Sequence, residues 1–377
     1  MAKALGEIRP GGPVLLLGND VTAAVLTMPD AIAALEGSYG DLVTGEGVCR
    51  PRIDMRFPAG AGRVYQWGTM EGGSARTGYA AIRMKSDLLV ETGPEGARTQ
   101  EKYCVTPGRY CGLVLLLDIR SGEPLALLND GLLQHLRVGA DSALGARYAA
   151  RPGSRVLGLL GSGGMARSHL EALLTVLPLE RVQVHSPTRA HREGFAAEAR
   201  ERYGLEAVAV ADAASAHRGA DLVAGCTDAV GEVIFGEHLA PGTHITCVGG
   251  RLDRRAVERL DVWLRLGDAN APYSRPSWAT DDEYVVYRAR PDDPVWPRHR
   301  HGHTRRPPQG PRRVGLRELL DGTARARTDD RQITFSERGN IQGAQFHAVA
   351  ALIYERARER GLGREIPRDW LLQDIRD

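Results

Sequence analysis

The sequence predicts an α/β protein whose middle is a Rossmann-type, doubly wound parallel sheet. Two observations predict it. Short strands alternate with helices from Ser154 onward, and the first of those strands runs straight into the glycine turn Gly161-Ser162-Gly163-Gly164-Met165-Ala166. Alternating β and α segments joined by short loops mark a sheet covered by helices on both faces. The chain's 377 residues are enough for two cores, since single domains mostly run to about 100–200 residues.

The elements follow in order. Val14–Leu17 reads as a buried strand and 21–35 as helical behind Asn19-Asp20, broken at Pro29 because proline removes a helical hydrogen bond. Alternating segments at 62–67 and 79–84 suggest antiparallel strands. The apolar run 112–118 is a strand, Arg120-Ser121-Gly122-Glu123 turns, and 124–128 returns. An alanine-rich helix covers 132–150 and stops at Arg151-Pro152-Gly153. Val156–Leu160 is continuously apolar, as a strand buried on both faces must be. Helix 165–177, strand Arg181–His185, helix Arg189–Tyr203, strand 206–210 and helix 212–218 follow, with strands at 221–226, 244–248 and 262–266. Segment 271–313 is a polar excursion rich in Pro, Arg and His, and the chain closes on a helix within 342–361.

Composition excludes several classes. A hydrophobic fraction of 42%, a charged fraction of 25% and a net charge of +2 describe an ordinary globular protein without the charge of a nucleic-acid binder. The basic cluster between Arg288 and Arg313 reads as a solvated insertion. Nothing in the chain has the roughly 18 apolar residues of a membrane helix, and the start lacks a signal-peptide pattern. Five scattered cysteines without a CxxC spacing argue against a disulfide framework or zinc site, so a reducing cytoplasm is the expected setting. The tract His299, His301, His303 has no carboxylate or cysteine at ligand spacing, so no metal is expected there.

The glycine turn carries the chemistry. Gly161 suits the tight bend, Gly163 lets backbone approach a pyrophosphate, and small Ala166 lets helix and strand pack closely. Ser162, Gly164 and Met165 complete a helix N-terminus whose N–H groups and dipole favour an anion. Where an acidic residue would bind a ribose 2′-hydroxyl, the second strand ends in Ser186-Pro187-Thr188-Arg189. Without a carboxylate, and with two hydroxyls and an arginine, this favours NADP(H) over NAD(H). Cys226-Thr227 and Val248-Gly249 end two further strands, at the carboxyl edge where ligands of such sheets bind.

Several segments taken together resemble the ornithine cyclodeaminase/μ-crystallin family: LLLDIRSGEPLALLNDG, LRVGADSALGARYAAR, GSGGMARSHLEAL, PGTHITCVGG and GNIQGAQFHAVAALIYERARERGLG. The resemblance implies a homodimer with a discontinuous α+β domain, 1–150 plus 330–377, for substrate binding and dimerisation. The Rossmann unit would then span 151–329 with an insertion near 271–313. It implies hydride exchange between a nicotinamide and the α-carbon of an amino or imino acid.

On family matching, Arg137 holds the substrate carboxylate and Arg52 adds a second contact, although either arginine also suits a structural ion pair. The family lysine falls on Arg83, with Lys85 two residues on and facing the same way, and either can serve. Arg251 stands where ornithine cyclodeaminase has an aspartate, and Asp253 comes two residues later. A cation there opposes a cationic substrate unless it turns to solvent. An imine reductase or amino-acid dehydrogenase is therefore expected first, a cyclodeaminase using bound NAD second, and a non-catalytic NADPH-binding protein third.

Overall fold

The computed structural model describes residues 12–92, 99–280, 282–296, 309–337 and 339–375. Strand β1 (Val14–Leu17) leads into α1 (Asn19–Val25) and α2 (Met28–Thr44). The expected break near Pro29 lies just before it. Thr27 caps α2, accepting from Asp30 N, and Pro29 sits in the first turn, where its missing N–H costs nothing. Then come β2 (Gly47–Cys49), β3 (Arg52–Pro58), β4 (Val64–Ser74), β5 (Tyr79–Thr92), β6 (Thr99–Tyr103), β7 (Cys111–Asp118), β8 (Pro124–Asn129) and α3 (Gly131–Ala149).

The parallel unit follows: β9 (Val156–Leu160), α4 (Gly164–Val176), β10 (Arg181–His185), α5 (Arg189–Tyr203), β11 (Glu206–Ala209), α6 (Ala213–His217) and β12 (Leu222–Gly225). After it run β13 (Glu232–Ile234), β14 (His244–Cys247), β15 (Arg251–Leu252), α7 (Arg254–Glu258), β16 (Val262–Arg265), β17 (Tyr284–Arg288), β18 (Arg312–Gly315) and α8 (Leu316–Leu320). The chain ends with β19 (Thr334–Glu337), α9 (Gln342–Glu359) and β20 (Arg364–Ile366).

Among the described residues two large sheets form. One is eight-stranded and parallel throughout, in the order β11-β10-β9-β12-β14-β19-β16-β18. Its middle strands are buried on both faces, which is why VLGLL is apolar throughout and why His244 and Thr246 of HITC, though polar, are buried on hydrogen-bond partners. The other is ten-stranded and mostly antiparallel, in the order β17-β3-β4-β5-β7-β8-β1-β20, with β2 on β4 and β6 on β5. Two strands depart from the expected division. β19, on the far side of the 329/330 boundary, lies between β14 and β16 in the parallel sheet. β17, inside the expected insertion, pairs parallel with β3 at the edge of the antiparallel sheet.

Helices α2, α3 and α9 cover one face of the antiparallel sheet and share its core with Ala81, Val114, Leu116 and Phe346. α9 approaches closely enough that a Cβ on Gly343 would lie 1.9 Å from the Glu71 carbonyl oxygen. β5 alternates without exception from residue 81 to 90, odd residues buried and even ones half-exposed. That period of two sorts the sheet into a packed inner face and an open outer one.

Candidate active site

The glycine turn is shaped as its sequence predicts. Gly161 has φ 113°, and a Cβ there would lie 2.1 Å from the Cys226 carbonyl oxygen, so both conformation and space demand glycine. Gly163 precedes the thirteen-residue helix α4 as its N-cap with no side-chain cap, and nothing lies within 4 Å of where its Cβ would be. Gly163 and Gly164 are exposed, whereas Ala166 is fully buried against the sheet. Gly249 is as constrained as Gly161, because its Cβ would lie 1.8 Å from the Thr227 carbonyl oxygen. The loops after β12 and β14 therefore meet, and Cys226, Thr227, Val248 and Gly249 gather beside the turn. Uncapped N–H groups at a long helix's start, with open space before them, fit a dinucleotide pyrophosphate.

The strand end after β10 divides the expected residues. Ser186 is buried and accepts a hydrogen bond from Ser162 Oγ at 2.9 Å, so it belongs to the turn. Thr188 is exposed and makes no capping bond. Arg189 has a side chain 79% exposed and pairs with Glu193 at 2.6 Å along its own helix. Arg192 is the arginine that reaches back, donating to the Ser186 carbonyl at 2.9 Å.

The four catalytic candidates share one region. Register places Tyr284, Arg52, Met70, Arg83 and Val114 in one row across the strands, and Asp54, Gly68, Lys85 and Gly112 in the next. A third row holds Arg56, Gln66 and Asp87. The inner sheet face is thus apolar under α9 and ionic beyond it. Arg52 binds Asp54 through two nitrogens, at 3.0 and 2.6 Å, and its guanidinium lies 4.2 Å from the Tyr284 ring centroid. Lys85 pairs with Asp87 at 3.2 Å, and Arg83 with Asp130 at 2.5 Å.

Two glycines make room for this layer. A Cβ on Gly68 would lie 2.4 Å from Asp54 Oδ1 and 2.8 Å from Lys85 Cε, and one on Gly112 would lie 2.1 Å from Asp130 Oδ1. Burial and the neighbouring Arg52 push Lys85 down to about 7, with Asp54 and Asp87 opposing. Burial pushes Asp54 up, but Arg52 and Lys85 outweigh it and hold the carboxyl below its ordinary range.

Helix α3 joins this face to the turn. Its first residues follow Asp130, and Arg137 lies two turns on, buried, with its guanidinium 4.6 Å from the Phe346 ring centroid, while Arg83 approaches the same ring at 5.2 Å. Arg137 donates to Gln134 Oε1 at 2.7 Å and Gln345 Oε1 at 2.5 Å. Gln345 is itself held by Tyr39 at 2.6 Å and Asp141 at 2.9 Å. His135, on another side of the same helix, lies where a Cβ on Gly164 would be 2.8 Å from its Nε2. Burial pushes that imidazole down, with Asp130 opposing. One helix therefore positions an arginine over the ionic face and a histidine against the dinucleotide turn.

Sequence reasoning missed Asp54, Asp87 and Asp130, the two glycines, Tyr284, Gln345 and His135. The available signal was the alternation Arg52-Asp54-Arg56 and Arg83-Lys85-Asp87, charges at period two in segments otherwise reading as strand. Arg251 is exposed, on β15 beside Glu232 of β13, the solvent-facing placement left open above. Asp253 caps α7, accepting from Ala256 N at 2.6 Å and from Gly236 N at 2.9 Å. Among the described residues no group of three or more His, Cys, Asp or Glu is placed to hold a metal. The tract His299–His303 lies outside the described residues.

A wholly parallel sheet opening on a glycine turn defines a Rossmann-type dinucleotide-binding fold, here set beside a buried layer of carboxylate-paired cations. Residues 100–361 match the ornithine cyclodeaminase/mu-crystallin family, and the chain belongs to it. Among its relatives, Delta(1)-pyrroline-2-carboxylate reductase of Bacillus cereus is 28% identical over 256 residues, covering 68% of this chain and 74% of that one. The ornithine cyclodeaminase of Agrobacterium tumefaciens is 27% identical over 247 residues, 65% of this chain and 62% of that one. The rat ketimine reductase mu-crystallin is 32% identical over 146 residues, 38% of this chain and 45% of that one. The fold matches Thermococcus litoralis Delta(1)-pyrroline-2-carboxylate reductase, solved with NADH and L-proline, at TM-score 0.70 and 22% identity, over 94% of this chain and 100% of that one. It also matches the iminosuccinate reductase of Paracoccus denitrificans, solved with NAD+, at 0.69 and 21%, over 94% and 99%.

Proposed function

We propose that the chain is a nicotinamide-dependent reductase of imino acids, working in reverse as an amino-acid dehydrogenase. The observation that carries this is α3, which places Arg137 beside Arg83 and the ionic face while His135 lies against the dinucleotide turn. The Gly161–Ala166 turn would hold the pyrophosphate of the dinucleotide, whose reduced nicotinamide would supply the hydride for the C=N carbon. Arg137 takes the substrate α-carboxylate, its guanidinium held near the Phe346 ring by the Gln134 and Gln345 oxygens. Arg52, held by Asp54 and Tyr284, is the second cation across Met70, and Arg83 stays tied to Asp130. Lys85 Nζ gives the imine nitrogen its proton, since a lysine near neutral pKa releases one that an arginine retains.

The same reading gives NADP(H) preference over NAD(H), supported by the absence of a carboxylate at Ser186-Pro187-Thr188 and by Arg189 and Arg192 beside it. The Arg189–Glu193 pair is exposed, so Arg189 is free to exchange partner for a phosphate at little cost. A homodimer is part of the proposal. Ile82, Met84 and Leu88 of β5 and Leu113, Leu115 and Leu117 of β7 leave an apolar, half-exposed outer face for a second copy to cover. Cyclodeamination of a diamino acid is the second reading, because the exposed Arg251 no longer opposes a cationic side chain. The test is a panel of cyclic and acyclic imino acids with NADPH or NADH, followed at the reduced-nicotinamide absorbance. Imine-dependent loss of that band supports reduction. Ammonia release from ornithine with no net change in the band supports the second reading.

A further inference from the structure

Strands β6 and β7 lie end to end along the same edge of β5. Tyr103 pairs with Leu88 and Cys111 with Ser86, so a single residue, Asp87, separates the two registers. The chain leaves the sheet at Cys104 and re-enters it at Cys111. Positions opposite neighbouring residues of one strand lie about one or two residue rises apart, roughly 3.3–6.6 Å. That range overlaps the Cα separation a disulfide needs, about 4.4–6.8 Å. The two thiols are also near enough to act on one another, Cys104 adding to the burial that pushes the Cys111 thiol up.

Between them the backbone is drawn tight. Cys104 N donates to the Arg109 carbonyl at 2.7 Å, and Thr106 N donates to the Cys104 carbonyl at 2.8 Å around Val105, whose φ is 68°. An i→i+2 bond about a β-branched residue at positive φ is a rare, strained turn. Residues 105–110 are exposed and both cysteines half-buried, so a small reagent reaches them. The other three cysteines are buried, and burial pushes Cys49 up to about 12 and Cys226 well above its ordinary value.

We propose that Cys104 and Cys111 are a thiol-modification site that closes reversibly to a disulfide at the rim of the ionic face, driven by a low-molecular-weight disulfide. This departs from the reading of five unconnected cysteines that spacing in the sequence supports. The step balances by two exchanges. Cys104 loses its proton and attacks the oxidant RS–SR, giving a mixed disulfide and one RSH. Cys111 then loses its proton and attacks the Cys104 sulfur, giving the internal bond and a second RSH. The protein is oxidised by two electrons and RS–SR is reduced to two thiols. Burial and the adjoining sulfur push the Cys111 thiol up, which suits the resolving role rather than the first attack.

The test treats the native full-length protein with oxidised glutathione, blocks free thiols with N-ethylmaleimide, and reads intact and peptide masses. The expected product has lost two hydrogen masses, carries the bond between the peptides of Cys104 and Cys111, and takes maleimide only at the remaining cysteines once denatured. C104S and C111S should each abolish the internal bond, and C111S should accumulate a single stable glutathione adduct on Cys104. Stable glutathione adducts on the wild type without an internal bond, a bond joining other cysteines, or thiols unchanged by the oxidant would each overturn the proposal.

Discussion

Arg137 is buried at 2% exposure in a shell of glutamine oxygens and one aromatic ring. Removing it as Arg137→Ala strips the proposed carboxylate contact, for which charge-assisted pairs suggest a loss of about 2–5 kcal/mol. We therefore expect kcat/KM for the imino acid to fall by roughly 10²-fold or more, with NAD(P)H affinity nearly unchanged. Arg137→Lys should not restore it, since an ammonium cannot reproduce the planar fork. Steady-state kinetics beside cofactor titration checks both.

Lys85 makes a pH prediction. Its value is lowered from 10.5 to about 7, so the folded protein binds fewer protons than the unfolded chain between those limits. Stability should rise with pH across that window and change little from this group below about 7, where both states carry the proton. Activity runs the other way. A proton donor of this value predicts that kcat/KM falls about tenfold per pH unit above 7, and that Lys85→Gln removes that limb along with most of the rate. A profile still falling at the same pH in K85Q assigns the proton elsewhere. Arg52, Arg83, Lys85 and Arg137 were legible in the sequence only through the resemblance to the ornithine cyclodeaminase/μ-crystallin family, which marked them as candidates by position. Their carboxylate partners were not, since Asp130 meets Arg83 through a register between β5 and β7 that no local pattern encodes.

At the scale of elements, the ionic face depends on strand spacing as much as on charge. Gly68→Ala would set a methyl among Asp54 and Lys85, and Gly112→Ala one within the Asp130 carboxylate. Overpacking of this kind costs about 1–3 kcal/mol. Thermal unfolding should register that, and activity should fall further than the lost stability explains. β17 offers a separate handle. Tyr284 packs its ring against the Arg52 guanidinium, so Tyr284→Ala should raise KM for the imino acid several-fold while leaving the cofactor KM alone, and Tyr284→Phe, which keeps the ring, should lose less. Equal effects from Ala and Phe would show that the ring is not what matters. Elements with a clear local pattern, such as the helical α3 and the apolar run of β9, were readable from the chain because local propensity and burial agree there. β17 and β19 were not, because β17 leaves the parallel unit to pair with β3 and β19 inserts between β14 and β16, which precede it in the chain, pairings set by tertiary packing.

At the scale of the molecule, two sheets divide the work and α3 spans them. A second join supports it, where Gln100 N of β6 donates to the Asp228 carbonyl at 3.3 Å, just past the Cys226-Thr227 loop. The apolar outer face of β5 and β7 predicts a dimer by sedimentation, and Leu113→Asp with Leu115→Asp should drive it to monomer. A wild type already monomeric at micromolar concentration would remove the dimer from the account. The central claim is imine reduction, and the most direct measurement is NADPH oxidation by the purified protein supplied with a cyclic imino acid such as Δ1-pyrroline-2-carboxylate. The account predicts saturable, imine-dependent loss of reduced-nicotinamide absorbance that R137A abolishes. Tight NADPH binding with no turnover across the imino-acid panel would contradict it.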